Sequence, residues 1–307
     1  VFKLHWFGPQ APQGHADADL ALQRSVSNDY FNSYQLLEEI RRFGPDVVYV
    51  WNLFGLGGLG ILDLLRIIGA PWVLHLMDRL PDFLLNWTPP LTRVLFARDN
   101  AEIMRSASVI VMSEHLRDEI TDYTGVVFER DPLIVPGWTP PASGERVARE
   151  PGAPWRFVSA SSISTEKGYG LIVEAAARLV EQGFDDFVID VYGAGEVSDF
   201  VEQAQMLGVS DKIRFRGQRS QEALFALYLE YDAFLFPTWE REPFGFAPIE
   251  ASAQGCPAIL TRNCGAAERL VDRVHCLKIE RSVEALAEAM RQVISGDVDV
   301  ARLGRAA

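Results

Sequence analysis

Two glutamates, Glu242 and Glu250, stand eight positions apart in the stretch Phe236 to Glu268, with Pro243-Phe244-Gly245-Phe246 between them and Pro248 just beyond. Proline is favoured at the first helical position, where its missing N–H leaves nothing unpaired, so the pattern predicts a helix beginning at Pro248 with Glu250 in its first turn. The amides of Gly245, Phe246 and Ala247 then project from the positive end of that helix, and Gly245 has no Cβ to hold an anion away. Such a place suits a diphosphate flanked by hydroxyls: amides take phosphate oxygens, and a carboxylate accepts two hydroxyl protons side by side.

A second chemical cluster lies further upstream, at Lys167-Gly168. A lysine at the start of a helix opposes the macrodipole by about 0.3–1 kcal/mol when exposed, and an anion bound there relieves both. Ser161, Ser162, Ser164 and Thr165 precede it. Their hydroxyls donate hydrogen bonds to phosphate without bringing charge.

These residues need elements to hold them. Short β-rich runs alternate with helical patterns: strands over Trp155–Ala160, Phe187–Tyr192, Lys212–Phe215, Ala233–Phe236, Pro257–Thr261 and Cys276–Ile279. Helices are expected over about Gly168–Glu181, up to about Leu207, over Gln221–Tyr231, up to Gly255, and over Val283–Ile294. In the first of these, Leu171, Ile172, Ala175, Ala176 and Leu179 recur at helical spacing. Strands joined by helical crossovers form a parallel sheet with ligands at its carboxyl edge. Gly193-Ala194-Gly195 ends one strand and reads as a turn near a nucleotide, and Gln218 and Arg219 end another, on the base side.

The string from Phe236 to Glu268 resembles the signature of the retaining GT-B glycosyltransferases of family 4, and the likeness extends loosely from about Asn28 to about Ile294. It implies an α/β chain of GT-B architecture, two Rossmann-like domains whose parallel sheets face each other across a cleft. Residues 1–137 would be an acceptor-binding domain and 138–307 a nucleotide-sugar-binding domain. By the resemblance, Lys167 binds the donor diphosphate, Glu250 takes the ribose hydroxyls and Glu242 holds the transferred sugar near the reacting carbon. The family usually has an arginine where Ser162 stands here, and a glycine at the place of Cys264 in Cys264-Gly265-Ala266-Ala267-Glu268. Retention is attributed in the family to front-side attack assisted by the donor phosphate, with neither glutamate as nucleophile. The donor is a substrate, so no cofactor is expected and no metal.

The first half repeats the theme: a helix over Asn32–Arg42, strands over Asp46–Trp51, Trp72–Met77 and Ser108–Ser113, and a helix over Ile61–Ile68. His75 lies on the same strand face as Met77, which occupies the place of the family's histidine, and Asp78 keeps the match. His75 reaches donor or acceptor on this reading, while a satisfied core histidine is the competing one. The glycine-bearing loop Asn52–Gly60 would face the acceptor, with a flexible packing loop as the competing reading. The family's opening strand and glycine-rich loop are not legible before Asn28, so this domain reads as incomplete at its start. The family's closing helix is not legible either.

Bulk properties narrow the partners. At 307 residues the chain has room for two domains, and a hydrophobic fraction of 48% with 23% charged residues is that of a globular protein. A net charge of -13 argues against nucleic-acid binding and against a polybasic membrane anchor, leaving at most peripheral membrane association. Cys256, Cys264 and Cys276 have neither disulfide-framework nor zinc spacing, which fits a reducing, cytoplasmic setting. The apolar run Leu53–Ala70 is broken by Asp63 and Arg66 and falls short of a membrane span. The chain begins at Val1 without methionine, so a removed targeting segment or a shortened chain stays open.

The expected partners are a nucleotide-sugar donor, with a UDP or GDP sugar as the form, and a glycan, lipid-linked or small-molecule acceptor. Two other readings stay open: a sugar-nucleotide 2-epimerase-like isomerase, and a nucleotide-sugar-binding protein weakened in catalysis by the atypical Ser162, Met77 and Cys264.

Overall fold

The computed structural model describes residues 15–52, 60–79, 104–137, 139–142, 144 and 146–307, with side chains from residue 29 onward. The chain divides into two compact units, Val1–Pro136 and Gly137–Ala307. Each carries its own parallel sheet.

In the first unit the strands β1 (Val48–Trp51), β2 (Trp72–Leu76), β3 (Ser108–Val111) and β4 (Leu133–Ile134) lie side by side in chain order. The register sets Trp51 opposite His75 and His75 opposite Ile110. Helix α1 runs from His15 to Phe43, well ahead of the expected start at Asn32, and α2 spans Gly60–Ile67. Leu36 of α1 and Ile61, Leu62 and Leu65 of α2 bury against Val50, Leu74 and Val109 of the sheet, the expected result of helical spacing facing a strand face. A further helix, α3 (Glu114–Thr124), is capped by Ser113, whose Oγ accepts from Leu116 N at 3.0 Å, and ends on Gly125 at φ 66°. The proline-rich stretch Asp131–Pro154 contributes β4 to this sheet before the second unit begins.

The second unit holds six parallel strands in the order β10-β9-β8-β5-β6-β7. They are β5 (Trp155–Ala160), β6 (Phe187–Tyr192), β7 (Ile213–Gly217), β8 (Ala233–Phe236), β9 (Ala258–Thr261) and β10 (Leu277–Ile279). Helices α4 (Tyr169–Glu181), α5 (Ser198–Met206), α6 (Gln221–Tyr228), α7 (Phe246–Ala253), α8 (Val283–Ile294) and α9 (Val300–Ala306) complete it, with a 3-10 turn at Gly265–Glu268. The central strands β5 and β8 are apolar on both faces because both are covered: Phe157 and Leu235 enter one cluster with α4 and α8, while Val158, Phe234 and Phe236 enter the other with α6 and α7.

The chain starts mid-sheet at β5, runs outward through β6 and β7, then returns to build β8 on the other side. The reversal therefore lies between β5 and β8, the place where open α/β sheets take their ligands beyond the strand carboxyl ends. The loops that leave these two strands carry Lys167 and Glu242. Among the described residues no helix is long and apolar enough to cross a membrane.

Candidate functional site

The loop after β5 and the loop after β8 are locked together. Gly168 adopts φ 82°, and a Cβ there would sit 2.2 Å from the carbonyl oxygen of Pro237. Trp239 N donates to the carbonyl of Glu166 at 2.8 Å. This junction brings the Lys167 ammonium onto the Glu242 carboxylate as a direct ion pair. The Glu242 side chain is 9% exposed and that of Lys167 23%, so the pair is largely shielded from solvent screening. Thr238 Oγ1 donates to the same carboxylate oxygen at 3.3 Å, and the Lys167 nitrogen stands 5.8 Å from the centre of the Phe236 ring. A third loop, after β9, is tied in through the backbone: Ala266 N donates to the Phe244 carbonyl at 2.6 Å.

Helix α7 starts earlier than expected. Gly245, at φ 85°, is its N-cap, and Phe246 is the first helical residue. Pro248 is third in the helix, still inside the first turn where no N–H is needed, and Glu250 falls in the second turn. Gly245 is required here twice over: its φ is left-handed, and a Cβ would press within 2.8 Å of the Phe236 ring. The Phe246 and Ala247 amides remain as donors at the helix end. Phe244 and Phe246 pack edge to face at 5.1 Å between ring centres, against Gly137, where a Cβ would meet Phe246 at 2.2 Å.

Glu250 faces the other flank of the unit. Gln221 Nε2, at the start of α6, donates to its Oε1 at 2.5 Å. Burial raises the Glu250 pKa above the ordinary carboxylate value, and the Gln221 hydrogen bond opposes that rise. Gly193 and Gly195 follow β6 at φ 150° and 147°. Their Cβ atoms would stand 1.9 Å from Ser161 O and 2.4 Å from Ile163 O, so this turn closes directly onto the loop after β5. Gly193 N donates to Gly217 O at 3.2 Å, which joins the turn to the loop bearing Arg219. Arg219 is exposed, its guanidinium 5.9 Å from the Tyr192 ring centre. Ser162 is exposed and its carbonyl accepts from Ser161 Oγ at 3.2 Å. Cys264 is buried, its Sγ donating to Thr261 O at 3.3 Å, and burial pushes the thiol up to about 12, which leaves it unreactive.

In the first unit, His75 is 5% exposed. Its Nδ1 bonds the Tyr49 hydroxyl and its ring lies 4.6 Å from that of Trp51, while Nε2 is buried without a partner. Burial holds the imidazole pKa below its ordinary value, favouring the neutral ring. Met77 lies past the end of β2, and Asp78 accepts from Asn52 Nδ2 at 3.0 Å across the strand ends. Of the loop Asn52–Gly60, residues 53–59 lie outside the described residues.

Lys167 and Glu242 are thus in contact, and Gly245, Phe246 and Ala247 follow Glu242 as the N-cap and first two residues of α7. Glu250 stands in the second turn of that helix, Arg219 and Gly193 on loops of the same unit, and His75 belongs to the other unit. Thr238 and Gln221 were not singled out by the sequence. Thr238 sits two residues beyond a buried strand and four before Glu242, a spacing that points to it only once the loop's path is known. Among the described residues no group of three His, Cys, Asp or Glu side chains is arranged to hold a metal ion.

Comparison with known proteins places this geometry. The chain is 29% identical over 222 residues to a glycogen synthase of Mycobacterium tuberculosis, covering 71% of this chain and 52% of that one. It spans about half the length of the curated relatives it matches. A glycosyltransferase structure from Rickettsia africae superposes with a TM-score of 0.67 at 16% identity, covering 97% of this chain and 77% of that one. HepE of Anabaena, solved in complex with UDP-glucose, does so with 0.66 at 19% identity, covering 89% and 75%. These likenesses show the fold, the GT-B fold. The family model described as Glycosyl transferases group 1 matches residues 145–307, more than half of the sequence and nearly all of the second unit, and the chain belongs to that family.

Proposed function

We propose that the protein is a retaining glycosyltransferase that moves a sugar from a nucleoside-diphosphate sugar, without a metal ion, to a glycan, lipid-linked or small-molecule acceptor. The observation that carries this reading is the Lys167–Glu242 ion pair at the strand-order reversal, which joins the loop after β5 to the loop that leads from β8 into the N-terminus of α7. Cleaving the donor builds negative charge on the departing diphosphate and positive charge at the anomeric carbon. A preplaced ammonium and the Phe246 and Ala247 amides stabilise the first without reorganising during the reaction. On donor binding Lys167 transfers from Glu242 to the phosphate, and the released carboxylate accepts hydroxyls of the sugar. Glu250 takes the ribose, and the first unit takes the acceptor. Family membership and the UDP-glucose complex of the structurally similar HepE support a nucleotide-sugar donor.

The test is a panel of UDP and GDP sugars, assayed with chelator for binding, slow hydrolysis and transfer, with the anomeric configuration of each product read by NMR. Lys167→Ala and Glu242→Ala should each lower turnover by about 10²–10³-fold, the scale of one lost transition-state donor. Wild-type rates in both variants, an inverted product, or activity abolished by chelator would each refute part of this reading. Conversion of a nucleotide sugar to its epimer with no acceptor present would replace it by an isomerase.

A further inference from the structure

Gln221 is the first residue of α6, fixed there by Ser220, whose Oγ accepts from Ala223 N at 3.3 Å. From this position its side-chain amide reaches across to α7 and donates to Glu250 Oε1 at 2.5 Å, a bond between residues 29 apart in sequence. Gln221 leaves the loop that carries Arg219, the loop whose Gly217 carbonyl is bonded by Gly193 of the strand-end turn after β6. Glu250 is half-buried, which raises its pKa, and the Gln221 amide, by bonding the charged form, opposes that rise. A protonated acid offers one acceptor oxygen fewer and turns the other into a donor. Two vicinal hydroxyls then have no matching partner.

We infer that Gln221 is a positioning residue for ribose recognition: its amide holds the Glu250 carboxylate in one rotamer across the α6–α7 gap, so that the 2′- and 3′-hydroxyls of a nucleoside diphosphate both donate to it. The inference rests on the reading of the second unit as a nucleotide-sugar site and adds to it the residue that sets its preference for ribose. With Oε1 already engaged by an N–H, Oε2 and the remaining lone pair of Oε1 are directed at the diol. Gln221 itself touches no ligand atom in this scheme. Its loss therefore acts through Glu250 alone.

Calorimetric titration of the full chain with UDP and GDP, and with their 2′,3′-dideoxy counterparts, tests this in wild type, Gln221→Met, Gln221→Ala, Glu250→Gln and Lys167→Ala. Gln221→Met keeps the length of the side chain and its helical preference, so a loss in that variant is not a loss of folding. The Gln221 variants should weaken the ribonucleotide roughly tenfold, the scale of one hydrogen bond to a charged group, and leave the dideoxy ligand within twofold of wild type. The ribose-to-dideoxy preference then falls in Gln221→Met as it does in Glu250→Gln. An unchanged preference in both Gln221 variants, or an equal loss for both kinds of ligand, overturns the role of Gln221 while leaving the site intact. Wild type that binds none of the nucleotides, or Lys167→Ala that binds them as wild type does, overturns the site reading instead.

Discussion

His75 shows how one side chain can answer differently to sequence and to environment. Its neutral form is favoured by burial, so folding is supported fully above the ordinary imidazole pKa of 6.5 and that support is lost as pH falls from there toward the lowered folded-state value. The first unit should therefore melt at a lower temperature at pH 5.5 than at pH 8. His75→Gln should shrink that difference, as read by thermal unfolding followed through the tryptophans; a pH response that survives the substitution would assign it to other groups. The residue was legible as a strand-face histidine because it sits inside the apolar run Trp72–Met77, where successive side chains of a strand alternate between faces. Its partners were not: Tyr49 and Trp51 lie on another strand, and only the register that sets Trp51 beside His75 brings them together. Gln221 and Glu250 illustrate the same limit, since nothing local in either segment refers to the other.

Elements were most legible where burial is complete. β5, β6, β8 and α8 have the bounds read from their apolar runs, because strands covered on both faces have no polar alternation to blur their ends. The start of α7 was misplaced because proline is tolerated anywhere in a first turn, whereas the actual stop is Gly245, whose left-handed φ no pattern of hydrophobicity reports. α1 extends far ahead of its expected start through a segment in which the helix formers Ala and Leu are mixed with Asp and Ser, so no strong propensity or apolar period marks it. At this scale the turn after β6 carries the sharpest expectation. A methyl group at Gly193 collides with the Ser161 carbonyl, backbone against backbone, so Gly193→Ala must push the loop after β5 outward. It should cost about 1–3 kcal/mol in a denaturant melt and weaken nucleotide binding together with stability. A variant as stable and as tight-binding as wild type would mean the two loops move independently.

The whole molecule is two cores rather than one. Among the described residues, the apolar clusters built on β5–β10 draw their members from residues 155–303, and the cluster of the first unit draws its members from residues 36–134. A fragment of residues 137–307 should accordingly unfold in a single cooperative transition and bind nucleotide within a few-fold of the full chain, checked by chemical denaturation and calorimetry. Loss of cooperative folding in that fragment would mean the first unit completes its core. The division into two parallel α/β halves was readable from the alternation of strand and helix patterns, while the addition of β4 to the first sheet was hidden inside a proline-rich stretch that reads as connection only.

The Lys167–Glu242 pair gives the junction of the two loops its own internal counter-ion. A bare phosphate that takes the lysine strands a carboxylate that is almost out of water, so it must displace a partner and offers nothing in return. A molecule carrying hydroxyls close behind its phosphates compensates both halves of the broken pair at once. Discrimination against simple anions is thereby built into the ion pair itself.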